Sequence, residues 1–317
     1  MSWEIPKQNY TGKIREVTLG TGEKKVVVGG ENAYPFHTFE GNIPHPPVIS
    51  FEVWDTEPEE WPRAVKAVYQ DVFKSPGDWA KKCVEEFGAE IITLQMPSID
   101  PNGENRSVDE EMKVVEEVLK AVEVPLIFWG CDNVEKDAEV LRKIAEVAEG
   151  RNVALGPVVD KNYKQIGAAA IAYKQIIIAS TPIDVNLAKQ LNILLLDLGV
   201  PEDKILMDPT TGGLGYGIEY TYSVMERDRI AALVQGDDKL AFPFVCNLAR
   251  EVWKTKEVSL PEKEFPLMGK EEERGVMMEA ITALLLTLAG ADILVMRHPR
   301  AVELIRELMG EFYEVKS

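Results

Sequence analysis

The stretch GAEIITLQM at residues 88–96 has a close counterpart in GADILVM at residues 290–296. Each begins with a glycine of the kind that ends helices and continues as a run of mostly branched apolar residues. A run without polar alternation predicts a strand that is buried on both faces, as strands of parallel sheets are. Both stretches therefore indicate the same step, the end of a helix followed by a buried strand.

The chain around these stretches repeats that step. Eight apolar runs follow residue 47, and stretches with the 3.6-residue apolar spacing of helices lie between them. The runs lie at 48–53, 91–96, 126–129, 153–155, 176–179, 205–207, 241–245 and 293–296. Ser107 with Glu110 predicts a capping box for one helix, and Thr181-Pro182 predicts the start of another that Gly199 ends. The pattern is typical of eight successive βα units.

Eight βα units favour a closed barrel. The predicted fold class is α/β, a (β/α)8 TIM barrel over residues 48–317, because eight parallel strands close on themselves with the helices outside. An open Rossmann sheet would need a glycine-rich turn after its first strand, whereas Asp55-Thr56-Glu57-Pro58 follows here. We expect the irregular stretch 254–269 to cover the C-terminal rim, where the active sites of such barrels form.

Residues 1–47 differ from the rest of the chain. The apolar runs 14–19 and 24–30 flank Gly20-Thr21-Gly22, which predicts a β-hairpin, and a proline-rich connection follows. We expect an N-terminal β-hairpin extension over residues 1–47 that closes the N-terminal end of a barrel domain at 48–317.

Composition excludes several classes of protein. The chain carries 35 basic and 53 acidic residues, a net charge of −18, so it cannot bind nucleic acid or an anionic membrane through phosphate neutralisation. Its apolar runs are shorter than the roughly 18 residues of a membrane span, and its three cysteines are too few for a disulfide framework. The first residues lack a secretory pattern, which predicts a cytoplasmic protein.

The loop that follows the sixth strand is the most distinctive local motif. It reads DPTTGGLGYG at residues 208–217 and precedes a helix. Gly212 and Gly213 permit close backbone approach to a ligand, and Thr210 and Thr211 offer hydrogen-bond donors. The spacing matches neither a dinucleotide fingerprint nor a P-loop. The alternative interpretation is a flexible βα turn without a ligand.

Polar side chains recur just after the predicted strands. They are Asp55, Asp100, Asp132, Asp208 and Asn247, and the C-terminal ends of barrel strands share one mouth. Such groups suit an uncharged, amide-rich or pterin-like ligand better than a polyphosphate, which requires basic groups. Each of them could instead be a helix N-cap.

The cysteines and histidines offer little catalytic chemistry. Cys83 lies on a predicted helix stripe and is assigned to the core. Cys131 and Cys246 end strands three and seven, and with His298 they suggest a zinc-thiolate site, although these two strands stand on opposite sides of an eight-stranded barrel. There is no nucleophile elbow and there are only three histidines, which favours a scaffold for a cofactor that performs its own chemistry.

Several stretches resemble a known family. They are residues 29–41 (GGENAYPFHTFEG), Pro46-Pro47, residues 52–55 (EVWD) and the loop 208–217. They are similar to the small subunit of the corrinoid iron-sulfur protein, the delta-type subunit of the acetyl-CoA decarbonylase/synthase system. The resemblance implies a TIM barrel that pairs with a large subunit and is similar in fold to pterin-dependent methyltransferases.

The same resemblance implies a function in the reductive acetyl-CoA (Wood–Ljungdahl) pathway. The heterodimer would carry a methyl group on cobalt from methyltetrahydrofolate, on a separate methyltransferase, to CO dehydrogenase/acetyl-CoA synthase. The corrinoid (cobalamin) would lie between this barrel's mouth and the large subunit, which would also hold the iron-sulfur cluster. The chain alone would need no catalytic side chain, metal ligand or cluster of its own.

The predicted corrinoid contacts are rim residues. They are Asp208, Thr210, Thr211, Gly212, Gly213, Cys246, Asn247, Gly130 and Cys131. The main alternative is a methyltetrahydrofolate:corrinoid methyltransferase whose barrel binds pterin through Asp132, Asp208 and Asn247. A zinc-thiolate methyltransferase is the third possibility.

Overall fold

Eight buried strands form a closed parallel barrel in the computed structural model, which describes residues 4–313. The strands are β3 (Val48–Trp54), β4 (Ile91–Gln95), β5 (Leu126–Trp129), β6 (Ala154–Val158), β7 (Ile176–Ser180), β8 (Ile205–Asp208), β9 (Phe244–Cys246) and β10 (Ala291–Met296). They run in sequence order around the barrel, and β10 closes it by pairing Ile293 with Val48 on β3. Each strand overlaps one predicted apolar run, so the TIM barrel is confirmed.

Helices surround this barrel. They are α1 (Arg63–Tyr69), α2 (Pro76–Glu85), α3 (Val108–Ala121), α4 (Val134–Val147), α5 (Tyr163–Tyr173), α6 (Val185–Leu198), α7 (Glu219–Leu233), α8 (Leu248–Val252), α9 (Glu271–Leu288) and α10 (Pro299–Tyr313). None of them, within residues 4–313, combines the length and apolar content needed to cross a bilayer.

The helix ends follow the capping signals with one exception. Ser107 and Glu110 form the predicted capping box at the start of α3, and Gly199 ends α6 with φ +99°. The predicted start of α6 at Thr181-Pro182 was wrong. Asp184 caps the helix instead, because its carboxylate accepts the backbone N–H groups of the second and third helical residues.

The N-terminal extension closes the bottom of the barrel. Strand β1 (Glu16–Leu19) pairs antiparallel with β2 (Val26–Gly29), which confirms the hairpin. Its side chains Val17, Leu19 and Val28 are buried together with side chains of the barrel strands, among them Ile91 and Ile127. The hairpin therefore fills this end of the barrel, and the C-terminal mouth is the end that it leaves open.

The chain between β9 and α9 lies over that C-terminal mouth. It forms the five-residue α8 and then short 3-10 turns at Lys256–Ser259 and Pro266–Met268. The Arg274 guanidinium, on the first turn of α9, donates hydrogen bonds to the carbonyls of Leu260 (2.7 Å) and Gly269 (2.9 Å). These bonds tie the second part of the stretch to α9. Lys254 and Ser259 line a cavity of the mouth, so the first part lies on the rim that the sequence predicted.

Candidate functional site

An ion pair divides the barrel mouth into two cavities. Arg250, on α8, pairs with Asp132, which follows β5 and has φ +69°. Strands β5 and β9 stand opposite each other in the barrel, so this pair spans the mouth. The first cavity has a volume of about 310 Å³ and the second about 390 Å³, and Arg250 lines both.

Five predicted site residues meet in the first cavity. Asp208, Thr210, Thr211, Gly212 and Asn247 all line it, although they come from the ends of two strands and one loop. The rest of the wall comes from neighbouring strand ends and includes Trp129, Asp132, Asp137, Pro157, Asn162, Ser180, Thr181, Pro182, Arg250 and Glu251. Carboxylates, amides and hydroxyls stand on this wall among apolar side chains, so it suits a ligand with amide or hydroxyl groups.

Asp208 is a buried carboxyl group held by two donors. The Ser180 hydroxyl donates to one oxygen (2.6 Å) and the Thr210 backbone N–H to the other (2.9 Å). Burial raises the pKa of Asp208 to about 6, although these two bonds act in the opposite direction. The group is therefore mostly ionised at neutral pH but costs stability in that form.

Asn247 presents a buried donor that lacks a partner. Its side-chain oxygen accepts from the Gln95 amide (3.0 Å), and its backbone carbonyl accepts from the Thr211 hydroxyl (2.8 Å). The Nδ2 group is buried without a hydrogen-bond partner among residues 4–313. A buried unpaired donor is costly, so an acceptor on a ligand is the natural partner for this group.

The glycine-rich loop is a short 3-10 helix, Thr211–Gly215. Thr210, which precedes it, has φ +62°, and its hydroxyl donates to the Thr181 carbonyl at 2.6 Å. Gly212 is exposed on the cavity wall, whereas Gly213 is buried and a Cβ there would lie 2.9 Å from Ile183 Cδ1. Gly213 therefore serves the packing of the loop and does not line the cavity.

Cys246 also lies outside both cavities. It is fully buried, its Sγ lies 4.0 Å from Met225 Sδ on α7, and burial raises the pKa of its thiol. Neither Cys246 nor Gly213 lines a mouth cavity, so their assignment as corrinoid contacts stays a prediction.

The second cavity has an aromatic wall that the sequence analysis missed. Trp54, Trp61 and Trp253 line it together with a buried ion pair between Arg297 and Glu52, whose Nε and Oε2 atoms lie 2.5 Å apart. The Arg297 guanidinium also lies 3.9 Å from the centre of the Trp61 ring. The sequence did offer a signal for this ion pair. Glu52 lies within the first barrel strand and Arg297 directly follows the last one, and a charged residue at such a buried position requires a partner of opposite charge.

Gly130 and Cys131 line this second cavity. A Cβ at Gly130 would overlap the Asp137 carboxylate, which accepts the Cys131 backbone N–H at 2.8 Å. Burial raises the pKa of Asp137 to about 6 and that of the Cys131 thiol to about 12. Cys131 is therefore a neutral thiol at physiological pH.

The remaining candidates are spread over the structure. Asp100 lines the second cavity, but Asp55 lies in neither and accepts the Ser98 backbone N–H at 3.3 Å. His298 Nδ1 accepts the Arg300 backbone N–H at 3.1 Å at the start of α10. Within residues 4–313 no group of three or more His, Cys, Asp or Glu side chains is arranged to hold a metal ion.

Comparison with known proteins identifies relatives over nearly the whole chain. The model of the family described as CO dehydrogenase/acetyl-CoA synthase delta subunit matches residues 16–311. The acetyl-CoA decarbonylase/synthase complex subunit delta of Archaeoglobus fulgidus is 42% identical over 322 residues, which cover 97% of this chain and 70% of that one. The subunit delta of Methanothermobacter thermautotrophicus is 38% identical and is matched over 97% of this chain and 78% of its own.

Solved structures with this fold are more distant. Dihydropteroate synthase from Xanthomonas albilineans, solved with 4-aminobenzoic acid, superposes with a TM-score of 0.59 at 13% identity over 95% of this chain and 99% of that one. The same enzyme from Thermus thermophilus gives a TM-score of 0.56 at 18% identity, over 93% and 98% of the two chains. At these identities the likeness concerns the barrel fold alone.

Proposed function

The chain belongs to the CO dehydrogenase/acetyl-CoA synthase delta subunit family, and on that premise we propose that it is the small subunit of a heterodimeric corrinoid iron-sulfur methyl carrier. Its mouth covers one face of a corrinoid that a large subunit also holds. The carrier takes a methyl group from methyltetrahydrofolate on a separate methyltransferase and delivers it to acetyl-CoA synthase in the reductive acetyl-CoA pathway.

The unpaired Asn247 donor is the observation that carries this proposal. A corrin ring is bordered by acetamide and propionamide groups, each with a carbonyl acceptor and an N–H donor. Asn247 Nδ2 needs an acceptor, and the Asp208 carboxylate can accept a further N–H. Gly212 leaves space at the cavity wall for a ligand to approach the backbone, because the nearest atom to a Cβ at this position would be Thr210 Cγ2 at 3.4 Å. The residues present therefore fit the border of a corrinoid.

The corrinoid, when bound, supplies the cobalt nucleophile, so the chain itself needs to bind, orient and exclude water. Asp208 and Asn247 would hold peripheral amides on the first-cavity side. Trp54, Trp61 and Trp253 would provide apolar contact on the other side and keep water from the reacting face.

The other partners belong to the same proposal. The large subunit carries the iron-sulfur cluster, because the three cysteines of this chain are too few and too far apart in sequence to hold one. Methyl donor and acceptor enzymes reach the corrinoid when a mobile domain of the large subunit moves it away from the mouth.

A methyltetrahydrofolate:corrinoid methyltransferase is the second candidate, and one observation favours it. Asp208 and Asn247 meet in a cavity of about 310 Å³, a size that suits a bicyclic heterocycle. In that case the first cavity binds the pterin, and Asp208 and Asn247 hydrogen-bond to its ring.

Calorimetric titration of the purified chain with methyltetrahydrofolate separates the two functions. The carrier predicts no saturable binding to the chain alone. Micromolar binding that Asn247→Ala weakens by roughly five- to 150-fold, the effect of losing a buried hydrogen bond, would favour the methyltransferase. Leu187→Ala, on α6, is the matched control, because its side chain is exposed and lines neither mouth cavity.

A further inference from the structure

Two buried side-chain amides connect the two cavities of the mouth. Gln95 is the last residue of β4 and Asn247 directly follows β9, and the Gln95 Nε2 donates a hydrogen bond to the Asn247 Oδ1 at 3.0 Å. Gln95 lies four residues after Ile91 and Asn247 two residues after Val245, and these two apolar residues pack inside the barrel. Both amides therefore point into the barrel, because side chains alternate along a strand. Of the two mouth cavities, Asn247 lines only the first and Gln95 only the second.

Asn247 does not act as a helix cap, although it stands where a cap would be. An asparagine before the first residue of a helix commonly accepts a backbone N–H of the first turn. Asn247 holds that position before α8, yet its side chain makes no such bond. Its oxygen is bonded to Gln95 instead, and the Thr211 hydroxyl holds its backbone carbonyl at 2.8 Å. The Asn247 side chain therefore belongs to the mouth and not to α8.

The bond from Gln95 decides which end of the Asn247 amide is free. A side-chain amide has an oxygen acceptor at one end and N–H donors at the other. Because Gln95 donates to Oδ1, the Nδ2 group is left over, and it is buried without a partner among residues 4–313. If both amides were turned over, Asn247 would donate to Gln95 and offer an oxygen instead.

The charges around the mouth favour the orientation that the structure has. The first cavity is lined by one guanidinium and four carboxyl groups, which belong to Arg250 and to Asp132, Asp137, Asp208 and Glu251. The second cavity is balanced, because its cationic side chains are as many as its carboxyl groups. An amide dipole orients in such a field with its N–H end toward the more negative side. A free N–H at Asn247 is thus favoured over a free oxygen.

We propose that Gln95 is a positioning residue that keeps Asn247 a hydrogen-bond donor and thereby selects a carboxamide ligand. A carboxamide offers a carbonyl acceptor and N–H donors, which match the Asn247 Nδ2 group and the Asp208 carboxylate. With the Asn247 amide reversed, both protein groups would be acceptors, and the ligand carbonyl would stay unpaired. This inference rests on the proposed function, in which the carboxamide is a peripheral group of the corrinoid.

Three substitutions of Gln95 separate hydrogen-bond polarity from packing. Gln95→Glu keeps the shape of the side chain but can only accept at pH 8, where the new carboxyl is ionised, so the Asn247 amide should turn over. Gln95→Lys can only donate and should keep the Asn247 orientation. Gln95→Met can do neither and should leave the Asn247 amide free to rotate. A packing role ranks Gln95→Glu closest to the parent, whereas the positioning role ranks Gln95→Lys above Gln95→Glu.

The first measurement uses the chain alone and needs no corrinoid. The chain is labelled with ¹⁵N-asparagine, and the side-chain signal of Asn247 is the one that Asn247→Ala removes. A hydrogen bond to a carboxylate moves amide protons downfield. We therefore expect a downfield shift of the Asn247 Nδ2 protons in Gln95→Glu and a much smaller change in Gln95→Lys. An Asn247 signal that stays at the parent's position in Gln95→Glu would overturn the inference.

The second measurement is the rate at which the reconstituted heterodimer loses corrinoid at pH 8. Gln95→Glu should lose it at least about fivefold faster than the parent, the effect of one lost buried hydrogen bond, and Gln95→Lys should stay within about twofold. Gln95→Met should add nothing in the Asn247→Ala background, because Gln95 acts only through Asn247. This double variant keeps the test valid if melting temperatures show that Gln95→Glu does not fold.

The outcomes separate the positioning role from the proposed function. Equal losses in Gln95→Lys and Gln95→Glu, or additive effects of Gln95→Met and Asn247→Ala, would mean that Gln95 only packs, while the proposed function stands. If the parent heterodimer holds no corrinoid, the proposed function fails, and the Asn247 signal of the isolated chain alone decides whether Gln95 sets the amide orientation.

Discussion

Asp208 holds a charge in a place where burial opposes it. The pKa of Asp208 in the folded chain is about 6, against an ordinary value of 3.8, so the folded chain binds this proton more tightly than the unfolded chain. Stability contributed by this carboxyl is therefore present at low pH and is lost as the pH rises from about 4 to about 6. A protein that keeps such a group gives up stability at the site, as is expected where binding needs the charge.

Asp208→Asn should consequently stabilise the chain at pH 7.5, by about 1 to 3 kcal/mol, because the amide imitates the neutral carboxyl. The difference from the parent should shrink as the pH falls and vanish near pH 4. Urea unfolding at several pH values measures it. Asp71→Asn is the control, since an ion pair with Lys82 lowers the pKa of Asp71, and this variant should not stabilise. Equal stability of Asp208→Asn and parent across the range would refute the raised pKa.

Side-chain direction decided which residues the sequence could place at the site. Asp208, Thr210 and Asn247 were predictable because each follows a strand end, and all strand ends of a barrel meet at one mouth. Cys246 also ends a strand, but side chains alternate along it: Val245 packs inside the barrel, so Cys246 points outward to Met225 on α7. The register of a three-residue strand cannot be read from its sequence.

At the scale of elements, the loop after β8 combines two glycines with different roles. Gly212→Val should leave the melting temperature nearly unchanged, because the position is exposed and has room for a Cβ, yet it should weaken corrinoid retention by filling the cavity wall. Gly213→Val should lower the melting temperature by several degrees, because the new side chain displaces Ile183.

Differential scanning calorimetry and cobalt analysis of the reconstituted heterodimer check both variants. Retention of corrinoid by Gly212→Val at the parent's level would mean that the loop is only a connection. An unchanged melting temperature for Gly213→Val would contradict the packing role assigned to that glycine.

The periodicity of apolar residues predicted where the helices lie in the sequence. It predicted less well which surfaces those helices contact. The capping box at Ser107 and the glycine at 199 set helix ends through local chemistry, which sequence shows directly. Helix α9 is apolar on both faces, so its sequence alone does not tell a fully buried helix from one with an exposed apolar face. The exposure of Met277 and Ile281 in the structure resolved this.

At the scale of the whole molecule, the barrel was predictable because eight buried runs alternate with helices and only a closed parallel sheet satisfies them all. The second mouth cavity was not predictable from the sequence, because residues that are far apart in the chain form its wall. Glu52 and Arg297 are 245 positions apart and meet only because β10 pairs with β3. Long-range pairs of this kind follow from barrel closure.

The measurement that tests the central claim most directly is corrinoid retention by the large subunit with and without this chain. The corrinoid-loaded large subunit is mixed with the parent chain or with Asn247→Ala, passed through gel filtration, and assayed for cobalt and absorption spectrum. We predict stoichiometric cobalt and a changed spectrum with the parent, faster corrinoid loss with Asn247→Ala, and neither cobalt nor iron in this chain alone. If the large subunit retains its corrinoid equally well, with the same spectrum, whether or not this chain is present, the chain does not cover the corrinoid and the proposal is contradicted.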